Sequence, residues 1–158
     1  MKLKASFILA FVLMACVHAV AADGEPGSHR SPSSEGASVG FANISDGDVL
    51  PPTFIVRFSI SGMGIAPAGV QIDNTGHHHL LVDVVEYPDF NLPLPASDQV
   101  RHFGKGQTEA EVTLAAGEHT LQVLLADHAH IPHQPPVLSE VIAVVVSADA
   151  PAQTDNTD

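Results

Sequence analysis

From residue 39 to residue 147 no window of twelve or more residues repeats its apolar groups at three and four positions, so no amphipathic helix is expected there. The apolar residues come instead in short β-branched and aromatic runs that alternate with polar ones. Phe54-Ile55-Val56-Arg57-Phe58-Ser59-Ile60 and Glu109-Ala110-Glu111-Val112-Thr113-Leu114 are two such runs, and Leu121, Val123 and Leu125 share one face of a third. Ser45-Asp46-Gly47-Asp48, the group Gly62, Gly64, Pro67 and Gly69, and the pair Ala116-Gly117 punctuate the runs as turns. About seven strands are expected, over residues 39–43, 54–60, 77–85, 99–103, 109–114, 119–125 and 137–147. Residues 87–97 hold three prolines, which bars them from a central strand. This strand number and length predict an all-β chain with a single immunoglobulin-like (Greek-key) β-sandwich over residues 39–147.

The flanks read differently. Residues 1–22 have the form of a secretory signal: Lys2 and Lys4, an apolar run over 5–17, then the small-residue site Ala19-Val20-Ala21. The run falls short of the roughly 20 residues that a membrane span needs. Leu13-Met14-Ala15-Cys16 also resembles a lipoprotein signal. Two products are therefore open: a soluble periplasmic or secreted protein, and one anchored to the outer membrane by a lipid on Cys16. Membrane contact is expected only through the signal or that lipid. The Gly/Ser/Pro/Glu stretch 23–38 and the polar stretch 148–158 are expected to be a disordered linker and tail. Once Lys2 and Lys4 are set aside, four basic residues face eighteen acidic ones. Nucleic-acid binding has no basic footprint here, whereas cations are attracted. Cys16 is the single cysteine, so the domain is expected to have neither disulfides nor thiolate metal sites.

Eight histidines fall within the expected sandwich: His77, His78, His79, His102, His119, His128, His130 and His133. In an immunoglobulin-like topology the second-to-third, fourth-to-fifth and sixth-to-seventh strand connections meet at one end. That places seven of the eight at one end and His119 at the other. Neutral imidazole is a good ligand for copper, zinc and nickel. His77 and His79 alternate onto one face of their strand, and His128 and His130 have the same spacing. The candidate metal ligands are therefore His77, His79, His128, His130, His102 and His133. His78, Asp83, Glu109 and Asp127 are candidates to orient an imidazole or add an oxygen. The competing reading is structural: His78 shares its face with Leu80 and Val82, and a buried histidine there would need only hydrogen-bond partners.

Four stretches resemble the bacterial family called domain of unknown function 4399. They are Asn74-Thr75-Gly76-His77-His78-His79-Leu80-Leu81-Val82-Asp83, His102-Phe103-Gly104-Lys105-Gly106-Gln107-Thr108-Glu109, Gly117-Glu118-His119-Thr120-Leu121-Gln122, and the residues from Asp127-His128-Ala129-His130 to Val137. The resemblance covers residues 62–146; residues 39–61 rest on pattern alone. It implies an exported envelope protein and supplies no catalytic residue. Three function classes follow. The first is binding of a copper, zinc or nickel ion. The second is a non-catalytic structural or interaction module of the cell envelope, held by a His/Asp hydrogen-bond network, with an envelope protein as partner. An enzyme is the third and is not expected, because no substrate or nucleophile is assigned.

Overall fold

Alternation of side chains decides the layering. In the computed structural model, which describes residues 29–153, β3 (Thr53–Ser61) buries Phe54, Val56 and Phe58 and turns the residues between them outward. It is flanked by β1 (Ser38–Phe41) and β7 (Glu109–Thr113) in a three-stranded antiparallel sheet. The second sheet runs β2 (Val49–Leu50), β10 (Ile142–Val146), β8 (Gly117–Ala126), β5 (Thr75–Val82), β4 (Gly64–Ile65). In addition, β6 (Val100–Phe103) pairs with β5, and β9 (Pro132–Leu138) pairs with β8. No helix occurs among the described residues. The expected signal segment 1–22 with Cys16, residues 23–28 of the expected linker and residues 154–158 of the expected tail lie outside the described residues.

The two sheets close on one apolar layer. Phe54, Val56 and Phe58 of β3 meet Leu80 and Val82 of β5, Leu121, Val123 and Leu125 of β8, and Val144 and Val146 of β10. The seven expected strands are all present, joined by the two-residue β2 and β4 and by the seven-residue β9. Of those seven, the first, second and fifth (β1, β3, β7) form one sheet, and the third, fourth, sixth and seventh (β5, β6, β8, β10) lie in the other. An immunoglobulin constant-type sandwich pairs the fourth strand with the fifth; here it pairs with the third. The stretch expected as one last strand over 137–147 is two, because Ser139 turns in to donate from its hydroxyl to the Glu140 carbonyl and accept from the Val123 N–H.

β5 is buried on both faces. Its other face carries a smaller cluster of Leu81, Leu94, Val100, Leu124 and Ala126, closed over by Val84, Phe90 and Leu138. The proline-bearing segment 87–97 makes this cover. It is excluded from the sheets as expected, yet it shields apolar side chains from water, which is favourable in proportion to the area covered.

The end of the expected linker is ordered, which corrects the reading of residues 23–38 as wholly disordered. Ser33 N–H donates to the Gln134 carbonyl and Gln134 N–H to the Ser31 carbonyl. The Arg30 guanidinium donates to the carbonyls of Pro132 and His133 and lies over the Phe90 ring. Low hydrophobicity hid this strap, because its fastening is backbone hydrogen bonding with few apolar groups. Gln153 in the expected tail likewise hydrogen-bonds both the N–H and the carbonyl of Ile55.

Candidate metal centre

The run His77-His78-His79 occupies the start of β5, and the strand period sends its members to opposite faces. His78 points into the sandwich and stacks on Phe58 with ring centroids 4.5 Å apart. Its Nδ1 donates to the Gln107 carbonyl. His78 is therefore a core residue and orients no imidazole of the centre, which corrects that expectation. His77 and His79 point the other way, into the space beside the smaller cluster.

Two further rings complete the group. His102 stands directly opposite His79 in the β5–β6 ladder. Its ring lies on Gly104, where an added Cβ would overlap the imidazole Cε1 and Nε2 atoms. His130 comes from the loop between β8 and β9, where its backbone takes a positive φ of 65°. Its N–H donates to the Asp127 carbonyl and its carbonyl accepts from Leu94 N–H. His77 lies 4.8 Å from His79, 4.9 Å from His102 and 5.0 Å from His130, centroid to centroid. His102 lies 5.2 Å from His79 and 4.7 Å from His130, and His79 lies 6.2 Å from His130. His77, His79 and His102 offer ligand nitrogens within 4.8 Å of one another.

The floor of the centre is dry and the rim is wet. His77 and His79 are buried, His130 is half-buried and His102 is exposed. Both ring nitrogens of His77 and Nδ1 of His79 are buried without a hydrogen-bond partner among the described residues. Loss of water, then the neighbouring rings of His102 and His130, lowers the His77 pKa to about 4. Loss of water, then His77, His102 and His130, takes His79 down to about 2. Both are neutral at pH 7, the state in which imidazole offers a lone pair to a metal. A cavity of about 210 Å³ lined by His79, His102, His130, Pro93, Leu94, Pro95 and Ala96 adjoins the rings. A larger cavity of about 660 Å³ beside Asn43, Arg57 and Gln153 gathers no histidine or carboxylate cluster; chemistry, not size, distinguishes the smaller one.

The remaining candidates stand elsewhere. His128 and His133 do not join the group: His128 sits in the bent loop 127–131, where strand alternation does not apply, and the His133 ring on β9 faces the carbonyls of Thr75 and Leu125. His128 and His133 line a separate cavity with Asp73 and Asp127. The His133 Nε2 donates to the Thr75 carbonyl at 3.2 Å, and its Nδ1 lies 3.4 Å from the Leu125 carbonyl. This close approach requires Gly76, where a Cβ would fall 2.9 Å from His133 Cε1.

Asp127 is spent on backbone. Its carboxylate accepts from the N–H groups of Ala129 and Ile131 and from the Ser31 hydroxyl. Burial alone would raise its pKa, but the hydrogen bonds, that of Ser31 foremost, hold it below the usual carboxylate value. It thus shapes the loop that carries His130. Asp83 sits four residues beyond His79, about 13 Å along the strand, and binds His119 Nδ1 at 2.7 Å and Thr120 N–H at 2.8 Å. Glu109 pairs with Arg57 at 3.2 Å in the other sheet. Neither carboxylate reaches the centre. Gly104, Arg30, Ser31 and the 93–96 cover carry no sequence signal that ties them to the centre, apart from a glycine standing two residues after His102.

A family model described as Domain of unknown function (DUF4399) matches residues 56–147. No curated protein and no solved structure matches the chain.

Proposed function

The chain belongs to this family of unknown function, and we propose that it binds one transition-metal ion through His77, His79, His102 and His130. The observation that carries the reading is His77, fully buried with neither ring nitrogen hydrogen-bonded among the described residues. An unsatisfied buried polar group costs about 1–3 kcal/mol. His78 on the opposite face also has its Nε2 unpaired, but its Nδ1 is bonded to the Gln107 carbonyl, whereas His77 has neither ring nitrogen paired among the described residues. A metal ion would give one of the His77 nitrogens a partner, and the rings of His79, His102 and His130 lie 4.8, 4.9 and 5.0 Å from His77, centroid to centroid. Copper, zinc and nickel all accept such donors. The exposed His102 gives the ion a way in.

Export fits this reading. The signal-like segment 1–22 supports a periplasmic or secreted domain, with a lipid on Cys16 as the alternative. Cell fractionation of the full chain and of Cys16→Ser tests that placement. The structural alternative has support at two places, the His119–Asp83 pair, which lies apart from the four rings, and the Asp127 loop network, which shapes the loop that carries His130. No catalytic step is assigned.

The test is calorimetric titration of the chelator-treated protein at neutral pH with Zn2+, Cu2+ and Ni2+. One ion per chain is expected, and the double variant His77→Ala/His79→Ala should bind none while keeping its β-sheet circular dichroism. Absence of stoichiometric binding by all three ions would end the proposal.

A further inference from the structure

We propose, resting on the reading above, that the centre is a closed tetrahedral site of four imidazoles and that its ion is Zn2+. The argument is metrical. With a metal–nitrogen bond of about 2.0–2.1 Å, the ring centroid lies about 3.2 Å from the ion, and a tetrahedron then separates the centroids by about 5.2 Å. A square plane would give four separations of about 4.5 Å and two diagonals of about 6.4 Å. Five of the six separations lie between 4.7 and 5.2 Å, and the sixth, His79–His130, is 6.2 Å. If that long separation were a diagonal, His77–His102 would be the other, yet it is 4.9 Å. The planar arrangement that suits Cu2+ and Ni2+ fails on this pair.

The tetrahedral arrangement needs only one adjustment, a shortening of His79–His130 by about 1 Å. His130 is the ring able to make it, since it is half-buried and carried on a loop. Among the described residues no sulfur donor lies beside the four rings: Met63 packs against the main core between the sheets. Cuprous ion prefers sulfur donors, while borderline Zn2+ takes imidazole readily and has no directional demand of its own. Four protein ligands leave no open position, which is the pattern of a site that holds or carries an ion.

The test replaces zinc by Co2+ in the chelator-treated full chain and compares Zn2+, Co2+ and Ni2+ by competition. A tetrahedral site gives Co2+ intense visible bands and binds Co2+ more tightly than Ni2+, the reverse of their ordinary order. His130→Asn keeps a residue that tolerates the left-handed backbone and removes the fourth imidazole; it should weaken Zn2+ at least tenfold. Faint six-coordinate Co2+ bands, Ni2+ bound more tightly than Co2+, or unchanged Zn2+ affinity in His130→Asn would overturn the tetrahedral proposal while leaving metal binding itself in place. Failure of all ions to bind would remove both.

Discussion

Replacing His77 by leucine should make the metal-free protein more stable and the metal-loaded protein unattainable. Leucine has a volume close to that of histidine and brings no polar atoms. The wild-type ring carries two buried nitrogens without a partner among the described residues. At the low end of about 1 kcal/mol for each unsatisfied group, the substitution gains about 2 kcal/mol in the apo state. For a domain of this size that is a rise of roughly 6–10 °C in melting temperature. Zinc reverses the ranking. At a free concentration a thousandfold above Kd it stabilises the wild-type fold by about 4 kcal/mol and does nothing for the variant. Thermal unfolding followed by circular dichroism, once with chelator and once with excess Zn2+, reads both states. Two results refute the reasoning: a chelated variant that melts at or below the wild type, or a ranking that zinc leaves unchanged. Either would mean that His77 is satisfied without an ion.

Gly104→Ala should reduce zinc affinity about 10–100-fold, the range typical of losing an interaction that orients a ligand, because its Cβ displaces the His102 ring. In a His102→Ala background the same change should have no further effect on the dissociation constant; a further loss there would show that Gly104 acts by another route. Ser31→Ala removes one of three hydrogen bonds to Asp127 and should cost about 1 kcal/mol and a few-fold in zinc affinity, with equal affinity in calorimetry disproving the role of the strap. His128→Ala should leave stoichiometry and affinity unchanged, since His128 lines a different cavity; loss of binding would reassign the fourth ligand. Burial lowers the His119 pKa, but the Asp83 hydrogen bond and the Ala115 carbonyl outweigh it, and the net shift is upward. The pair therefore adds stability below the unfolded histidine value of about 6.5 that is lost as pH rises through the higher folded value. Asp83→Asn should lower the His119 pKa in an NMR titration, and an unmoved value would contradict the assignment.

Alternation was the readable part of this chain. It fixed β3, β7 and β8, the inward set Leu121, Val123 and Leu125, and the opposite faces of His78 and the His77/His79 pair. It failed where the backbone leaves the pleat. His128 and His130 have strand spacing but sit in a loop that the Asp127 carboxylate folds back on itself, so one reaches the centre and the other does not. His102 is expected at the end of the strand 99–103, beside the connection to the next; it joins the group as a ladder neighbour of His79 because β6 pairs with β5 in the larger sheet. Asp83 and Glu109 have the chemistry to add an oxygen or orient an imidazole, but their positions, just past the end of β5 and in the opposite sheet, are facts of tertiary pairing that spacing does not encode. The ordered strap at 30–34 escaped notice for the same reason: its partners are carbonyls a hundred residues away.

β5 has no idle side. One set of its side chains closes the hydrophobic interior and the alternate set presents the two buried imidazoles, so a slip of a single residue would exchange them. Capturing an ion on that strand would therefore also lock its alignment with β6 and β8. An ion so held would fasten the middle of the sheet, and a chain deprived of it should show its earliest amide exchange at the His77 end of β5 rather than at the Val82 end.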